Sequence, residues 1–180
     1  MSHRLYHTEA ILLGSRPYGE ANRLLYLLTA ELGLVLATVQ GIRQQASKLR
    51  GQLTDYTSLR TTLVRGRGIW RLIGAEVVVS GPAPAALGEQ WWWRLCHLAR
   101  RLIHGELAEP RLFGRFIAWR QELSIVAVDG MLRHRGLLCH LELLQLLGYL
   151  PQRDLTDSEW VADDGRLVVL INRALAHSQL

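Results

Sequence analysis

Lysine is nearly missing from this sequence. Lys48 is the single lysine among 180 residues, and arginine supplies the other twenty basic side chains. Such a bias explains which cation is used but not where it is placed. Cysteine is scarce as well: Cys96 and Cys139 are the whole complement, which excludes a fold built on several disulfides and fits a reducing compartment. No apolar run reaches the length needed to span a bilayer, because Arg, Glu, His or Gln interrupts each stretch. The opening residues, Met1 to His7, lack the apolar core and small-residue cleavage site of a signal peptide. The expectation is a cytoplasmic protein that does not engage a membrane. Catalytic signatures are absent too: there is no P-loop, no GxSxG and no HExxH. His140-Leu141-Glu142 has the H-x-E spacing of zinc deaminases without the P-C-x-x-C that completes their site. Asp163-Asp164 could serve a nuclease, but Asp-Asp-Gly reads more readily as a turn. The expectation is no enzymatic activity and no cofactor.

What is present is globular composition, 49% hydrophobic and 21% charged, with a net charge of +5 that is unevenly spread. Residues 1–80 hold nine Arg and Lys48 against five acids, whereas residues 81–180 hold eleven Arg against eleven acids. All the excess positive charge therefore lies in the first part, the footprint of a phosphate-backbone binder.

The chain changes character near residue 80. Before it, short apolar runs alternate with turns, and five strands are expected at roughly 7–13, 22–29, 33–40, 57–64 and 69–79. Arg16 to Glu20 forms the first connection, a short helix is possible over 42–50, and Arg65-Gly66-Arg67-Gly68 is a tight hairpin turn. Five strands with a helix after the third match an OB-fold barrel, which often binds oligonucleotides. The fold class is α+β: an OB-fold domain over 1–80, a linker at 81–86 with Pro82 and Pro84, and a helical domain over 87–180. There Leu87, Trp91, Leu95, Leu98 and Leu102 share one helix face. Pro110 opens a second helix, and a third ends at Gly148 before Pro151. A hairpin is expected at 159–170, turning at Asp164-Gly165.

Arg43, Lys48 and Arg50 are the only charged residues between Glu31 and Asp55. Long cations on an adaptable segment suit phosphate contact, and Arg60, Arg65, Arg67 and Arg71 extend the set along the last two strands and their turn. The bland alternative is a solvated charge run. Tyr18, Tyr26, Tyr56 and Trp70 are candidates for base stacking, each equally suited to core or rim packing. Trp91-Trp92-Trp93 sweeps about 200° of helix, so one ring faces away from the apolar stripe, toward a domain junction or a partner. Cys96-His97 and Cys139-His140 place adjacent residues on diverging helix positions, unlike zinc spacings, and Cys96 shares a face with Trp92, Ala99 and Ile103 as a small hydrophobe. No metal site is expected.

Several segments are familiar when read in order. Thr8-Glu9-Ala10-Ile11-Leu12-Leu13-Gly14 precedes Arg16-Pro17-Tyr18-Gly19-Glu20, then Leu24 to Thr29 and Glu31-Leu32-Gly33. Val39-Gln40-Gly41-Ile42-Arg43 is followed by Ser47-Lys48-Leu49-Arg50-Gly51, then by Gly105 to Phe113 and by Leu141 to Pro151. Together they resemble the RecO family of DNA-repair and recombination mediators. The resemblance implies an OB-fold packed on a helical domain, binding of single- and double-stranded DNA, strand annealing, and recombinase loading with RecR and single-strand-binding protein as partners. One feature departs from it. Many RecO proteins carry a four-cysteine zinc site soon after the Gly-Tyr-x-Pro segment, and residues 152–180 contain no cysteine. The expectation is a short form lacking that site. The rival readings are a protein–protein adaptor with a degenerate barrel, and an enzyme using Asp163, Asp164 or His140.

Overall fold

The computed structural model describes residues 4–20, 22–40, 53–78, 86–106, 108–126, 128–151 and 163–177. Arg43, Lys48 and Arg50, the helix suggested over 42–50, and the linker apart from Ala86 lie outside them. The chain forms two compact units, Met1–Ser80 with Ile103–Gly114, and Gly81–Leu102 with Arg115–Leu180.

Five strands build the first unit: β1 (Leu5–Tyr18), β2 (Asn22–Thr29), β3 (Gly33–Val39), β4 (Ser58–Arg65) and β5 (Trp70–Val77). They close into a barrel in the order β1-β2-β3-β5-β4. β1 is long enough to serve two neighbours. Its first half, Leu5 to Ile11, pairs with β4, and Ala10 to Tyr18 pairs with β2. The β1–β2 register shifts between Leu12 and Gly14, a bulge that bends the strand from one partner to the other. Alternation sends Leu12, Leu25, Leu27, Val35, Ala37, Leu59, Leu63 and Leu72 into one core. Ile11, Leu13, Leu24 and Leu28 are buried as well, so β1 and β2 are covered on both faces, which is why they read as continuous apolar runs. Arg16, Pro17 and Tyr18, expected in a connection, continue β1, and the turn itself falls at Gly19-Glu20.

The second unit is helical. Its elements are α1 (Ala86–Leu102), α2 (Pro110–Ile125, whose first turn belongs to the barrel unit), α3 (Asp129–Leu146) and α4 (Asp164–His177). Ala86, assigned to the linker, opens α1. The buried face of α1 runs through Trp92, Leu95, Cys96, Ala99 and Leu102, while Leu87 is exposed and Trp91 half-buried. The apolar stripe is thus rotated from Leu87 and Trp91 toward Trp92 and Cys96. Trp92 meets Phe116 edge-on at 5.9 Å, and Phe116 meets Trp119 at 5.1 Å. α3 stops where Gly148 takes φ +80°: the Gly148 amide donates to the Gln145 carbonyl and Tyr149 to Leu144.

The hairpin expected at 159–170 is overturned for its described residues. Residues 164–170 are the start of α4. Asp163 caps the helix: its carboxylate accepts from the Gly165 amide, and its carbonyl accepts from Leu167. Leu167, Leu170 and Ala174 are buried at helical spacing. None of the described helices is long and apolar enough to cross a membrane.

Candidate nucleic-acid interface

Strand register gathers three features at one end of the barrel. Arg23, at the start of β2, stands opposite Val39, at the end of β3. Ala37 and Thr38 pair in parallel with Trp70 and Arg71, at the start of β5. The β1–β2 turn, the exit of β3 and the β4–β5 turn therefore share a rim. In OB-folds the β2–β3 face and these two turns are where oligonucleotides bind. Val39 and Gln40, the last described residues before Arg43, Lys48 and Arg50, stand at the same rim.

The mouth of the barrel here is closed by an internal tie. The Arg23 guanidinium donates to the Leu53 carbonyl at 3.1 Å, to Asp55 at 3.1 Å and to Ser15, whose hydroxyl also donates to Asp55 at 2.6 Å. Arg23 is thereby spent on structure. Outward-facing positions form rows across the strands. One row runs Arg16, Leu24, Thr38, Arg71, and the next runs Gly14, Tyr26, Leu36. Arg16 and Arg71 are exposed, Tyr26 is half-buried and Leu36 is exposed. Arg16 was missed by sequence reasoning, because a residue assigned to a turn has no defined face. Once β1 extends to Tyr18, period-two alternation places Arg16 beside Leu24.

The four described arginines of the sequence-based set differ in what holds them. Arg60 is flanked in register by Glu9 on β1 and Glu76 on β5, and it pairs with Glu76 at 3.5 Å. Two acids beside it offset its charge. Arg65 donates to Glu106 at 2.6 Å and lies over the Trp70 ring at 5.0 Å. Arg67 and Arg71 are exposed and make no ion pair among the described residues. Gly66 sets the turn that carries Arg67, since a Cβ there would meet the Ile69 carbonyl oxygen at 2.3 Å. A cleft of about 90 Å³ lies between Arg65, Arg67, Trp70 and Glu106. It is well below the roughly 300–1,000 Å³ of small-molecule sites.

Among the aromatics, Tyr18 is exposed at the rim. Tyr26 lies on the outer β2–β3 face. Tyr56 is half-buried before β4, with φ 70° and its amide donating to the Leu12 carbonyl. Trp70 is 2% exposed in the barrel core, edge-on to Tyr6 at 5.0 Å, and its indole N–H donates to Glu106 at 2.8 Å. As a stacking platform Trp70 is ruled out, because both faces of a core ring are already in use.

The rival catalytic residues are held structurally. Asp163 caps α4 and pairs with Arg166, while Asp164 pairs with Arg133 and His134. His140 is buried, with its Nδ1 at 2.7 Å from the Gly136 carbonyl. Burial pushes the Cys96 thiol well up and the Cys139 thiol up to about 12, away from the thiolate a metal requires. Among the described residues no three His, Cys, Asp or Glu side chains converge on a metal position. The four-cysteine zinc site of many RecO proteins does not fit a chain whose two cysteines are both buried on helices.

Residues 1–80 match the family model of the recombination protein O N-terminal domain. A DNA repair protein RecO of Synechococcus sp. (strain JA-2-3B'a(2-13)) is 42% identical over 172 residues, covering 84% of this chain and 57% of that protein. The chain is similar to RecO proteins over most of its length. A RecO of Dehalococcoides mccartyi (strain ATCC BAA-2266 / KCTC 15142 / 195) is 28% identical over 154 residues, 82% of this chain and 58% of that protein. One of Gloeothece citriformis (strain PCC 7424) is 39% identical over 79 residues, 44% of this chain and 28% of that protein. The chain spans little more than half the length of the RecO relatives that match most of it.

Proposed function

We propose that this chain is a RecO-family, DNA-binding mediator of repair and recombination. In this reading the rim of the barrel holds DNA by its phosphates, and the chain carries out no reaction of its own. The observation that carries the reading is the register, which brings Arg16, Arg67, Arg71 and the exit toward Arg43, Lys48 and Arg50 to one end of a closed OB barrel. Exposed cations beside Tyr18 and Tyr26 suit single strands of any sequence, and duplex is held by the same phosphate chemistry. Neutralising phosphates on two strands lets them approach and anneal. The helical unit then serves the protein partners that the family resemblance implies, RecR and single-strand-binding protein.

Changing Arg43, Lys48 and Arg50 together to Ala tests the reading. The log–log salt slope of DNA binding should flatten by about two on single strands, each lost phosphate contact removing about 0.7. Arg67→Ala with Arg71→Ala should flatten it further, while RecR binding survives. An equal charge change at Arg111, Arg166 and Arg173 is the control. If the control weakens DNA binding as much as the loop variant does, the barrel rim is not the DNA site.

A further inference from the structure

Residues 81–180 are neutral by count, and several of their described acids are held in ion pairs. Glu122 and Glu142 are taken up by Arg115 and Arg135 between α2 and α3, Glu89 by Arg120, and Asp164 by Arg133 and His134. α1 has no acid after Glu89 in its first turn, yet it carries Arg94, Arg100 and Arg101. Helical spacing puts Trp93, His97 and Arg101 away from the buried face through Trp92, Leu95, Cys96 and Ala99, with the half-buried Arg100 at the edge of that face. Trp93 is 46% exposed, although an indole is among the side chains that gain most from burial. Its ring lies against His97 with centroids 5.5 Å apart and planes 25° from parallel. Burial, then the neighbouring Arg100 and Arg101 guanidiniums, hold His97 below the usual histidine range, so at neutral pH it stacks as an uncharged ring.

We propose that this face of α1 is a second nucleic-acid contact, which takes a single strand by stacking a base on Trp93 and laying phosphates on Arg100 and Arg101. The proposal rests on the DNA-binding reading above and adds a second set of side chains on the other unit. An acidic peptide would use the two arginines equally well, but it has no use for a flat, pre-stacked pair of rings. A nucleic acid uses both, because every base has a face to stack and a phosphate beside it. Trp93 and Arg101 are about 12 Å apart along the helix axis, which matches a short stretch of strand rather than a point contact. A chain with two such contacts holds two strands at once.

The test uses the full chain, a labelled oligothymidylate and a pair of complementary oligonucleotides. Trp93→Ala should weaken oligothymidylate binding about tenfold, and Trp93→Phe should restore most of it. Arg100→Gln with Arg101→Gln should flatten the salt slope by about 1.4. Both sets should slow annealing, and their effects should add to those of Arg67→Ala with Arg71→Ala. Circular dichroism and melting confirm that each variant folds. If the α1 variants bind and anneal like wild type while the rim variants lose binding, the second contact is overturned and the barrel site stands. If they keep DNA binding but lose a polyglutamate peptide, the face is an acidic-peptide site and the proposal fails. If wild type binds no DNA at any salt, the reading of the whole chain fails with it.

Discussion

Glu106 holds two side chains at once, the exposed guanidinium of Arg65 and the core indole of Trp70. An ion pair this open to solvent is worth about 0–1 kcal/mol, so a phosphate can take Arg65 from Glu106 at small cost. Glu106→Gln keeps an oxygen for the Trp70 N–H and removes the competing charge. DNA affinity should rise, with the single-strand salt slope steepening by about 0.7, as read by titration at several salt concentrations; unchanged affinity would show that Arg65 never reaches DNA. His140 makes a prediction of another kind. Burial lowers its pKa, the hydrogen bond to the Gly136 carbonyl opposes that shift, and Arg94 adds to it. The unfolded chain, near 6.5, therefore takes up a proton before the folded one does. Stability should be full above about pH 6.5, fall as pH drops through the unfolded value, and level off below the folded value. His97 adds in the same direction. Melting temperatures of wild type and His140→Gln across pH 4.5–8 (assay settings of about two units either side of the unfolded value) check this: the variant's profile should be flatter.

At the scale of elements, the packing of α1 on α3 depends on a missing side chain. A Cβ at Gly136 would lie 2.3–2.7 Å from three atoms of the Trp91 indole, a ring already edge-on to His140 at 5.7 Å. Gly136→Ala should cost about 1–3 kcal/mol despite alanine's better helix propensity, visible as a lowered denaturation midpoint. Trp91→Leu in the same background should return part of it. Nothing in the sequence singles out Gly136, because a close approach between helices leaves no local pattern. Strands were far more legible. β2 starts and ends where its apolar run meets Asn22 and Thr29, and Gly33 marks β3, since each signal is local. α4 was misread for a physical reason. Asp-Gly serves both a hairpin turn and a helix start, and Val168-Val169 suggested a strand, but the spacing of Leu167, Leu170 and Ala174 was the deciding clue. The candidate site was half legible: Arg67 and Arg71 follow from charge and position, whereas the neutralising of Arg60 by Glu9 and Glu76 needs a register that only the closed barrel supplies.

For the whole molecule, the charge pattern sets a measurable limit on DNA binding. If three to six phosphates are engaged, the log–log slope on single strands should lie at roughly −2 to −4, with little preference for sequence. An affinity that does not change between low and moderate salt contradicts this. The barrel adds a mechanical consequence. Four of its seams are antiparallel and carry seven or more register pairs each, but among the described residues the parallel β3–β5 seam has only Ala37 with Trp70 and Thr38 with Arg71. A cylinder opens first along its shortest line of stitching. Amide hydrogen exchange should enter along β3 and β5 and reach β1 last. Arg71 sits on that line, so if DNA binds the rim as proposed, a strand held by Arg71 would clasp the cylinder shut, and slowed exchange at the seam would report the bound state without any label on the DNA.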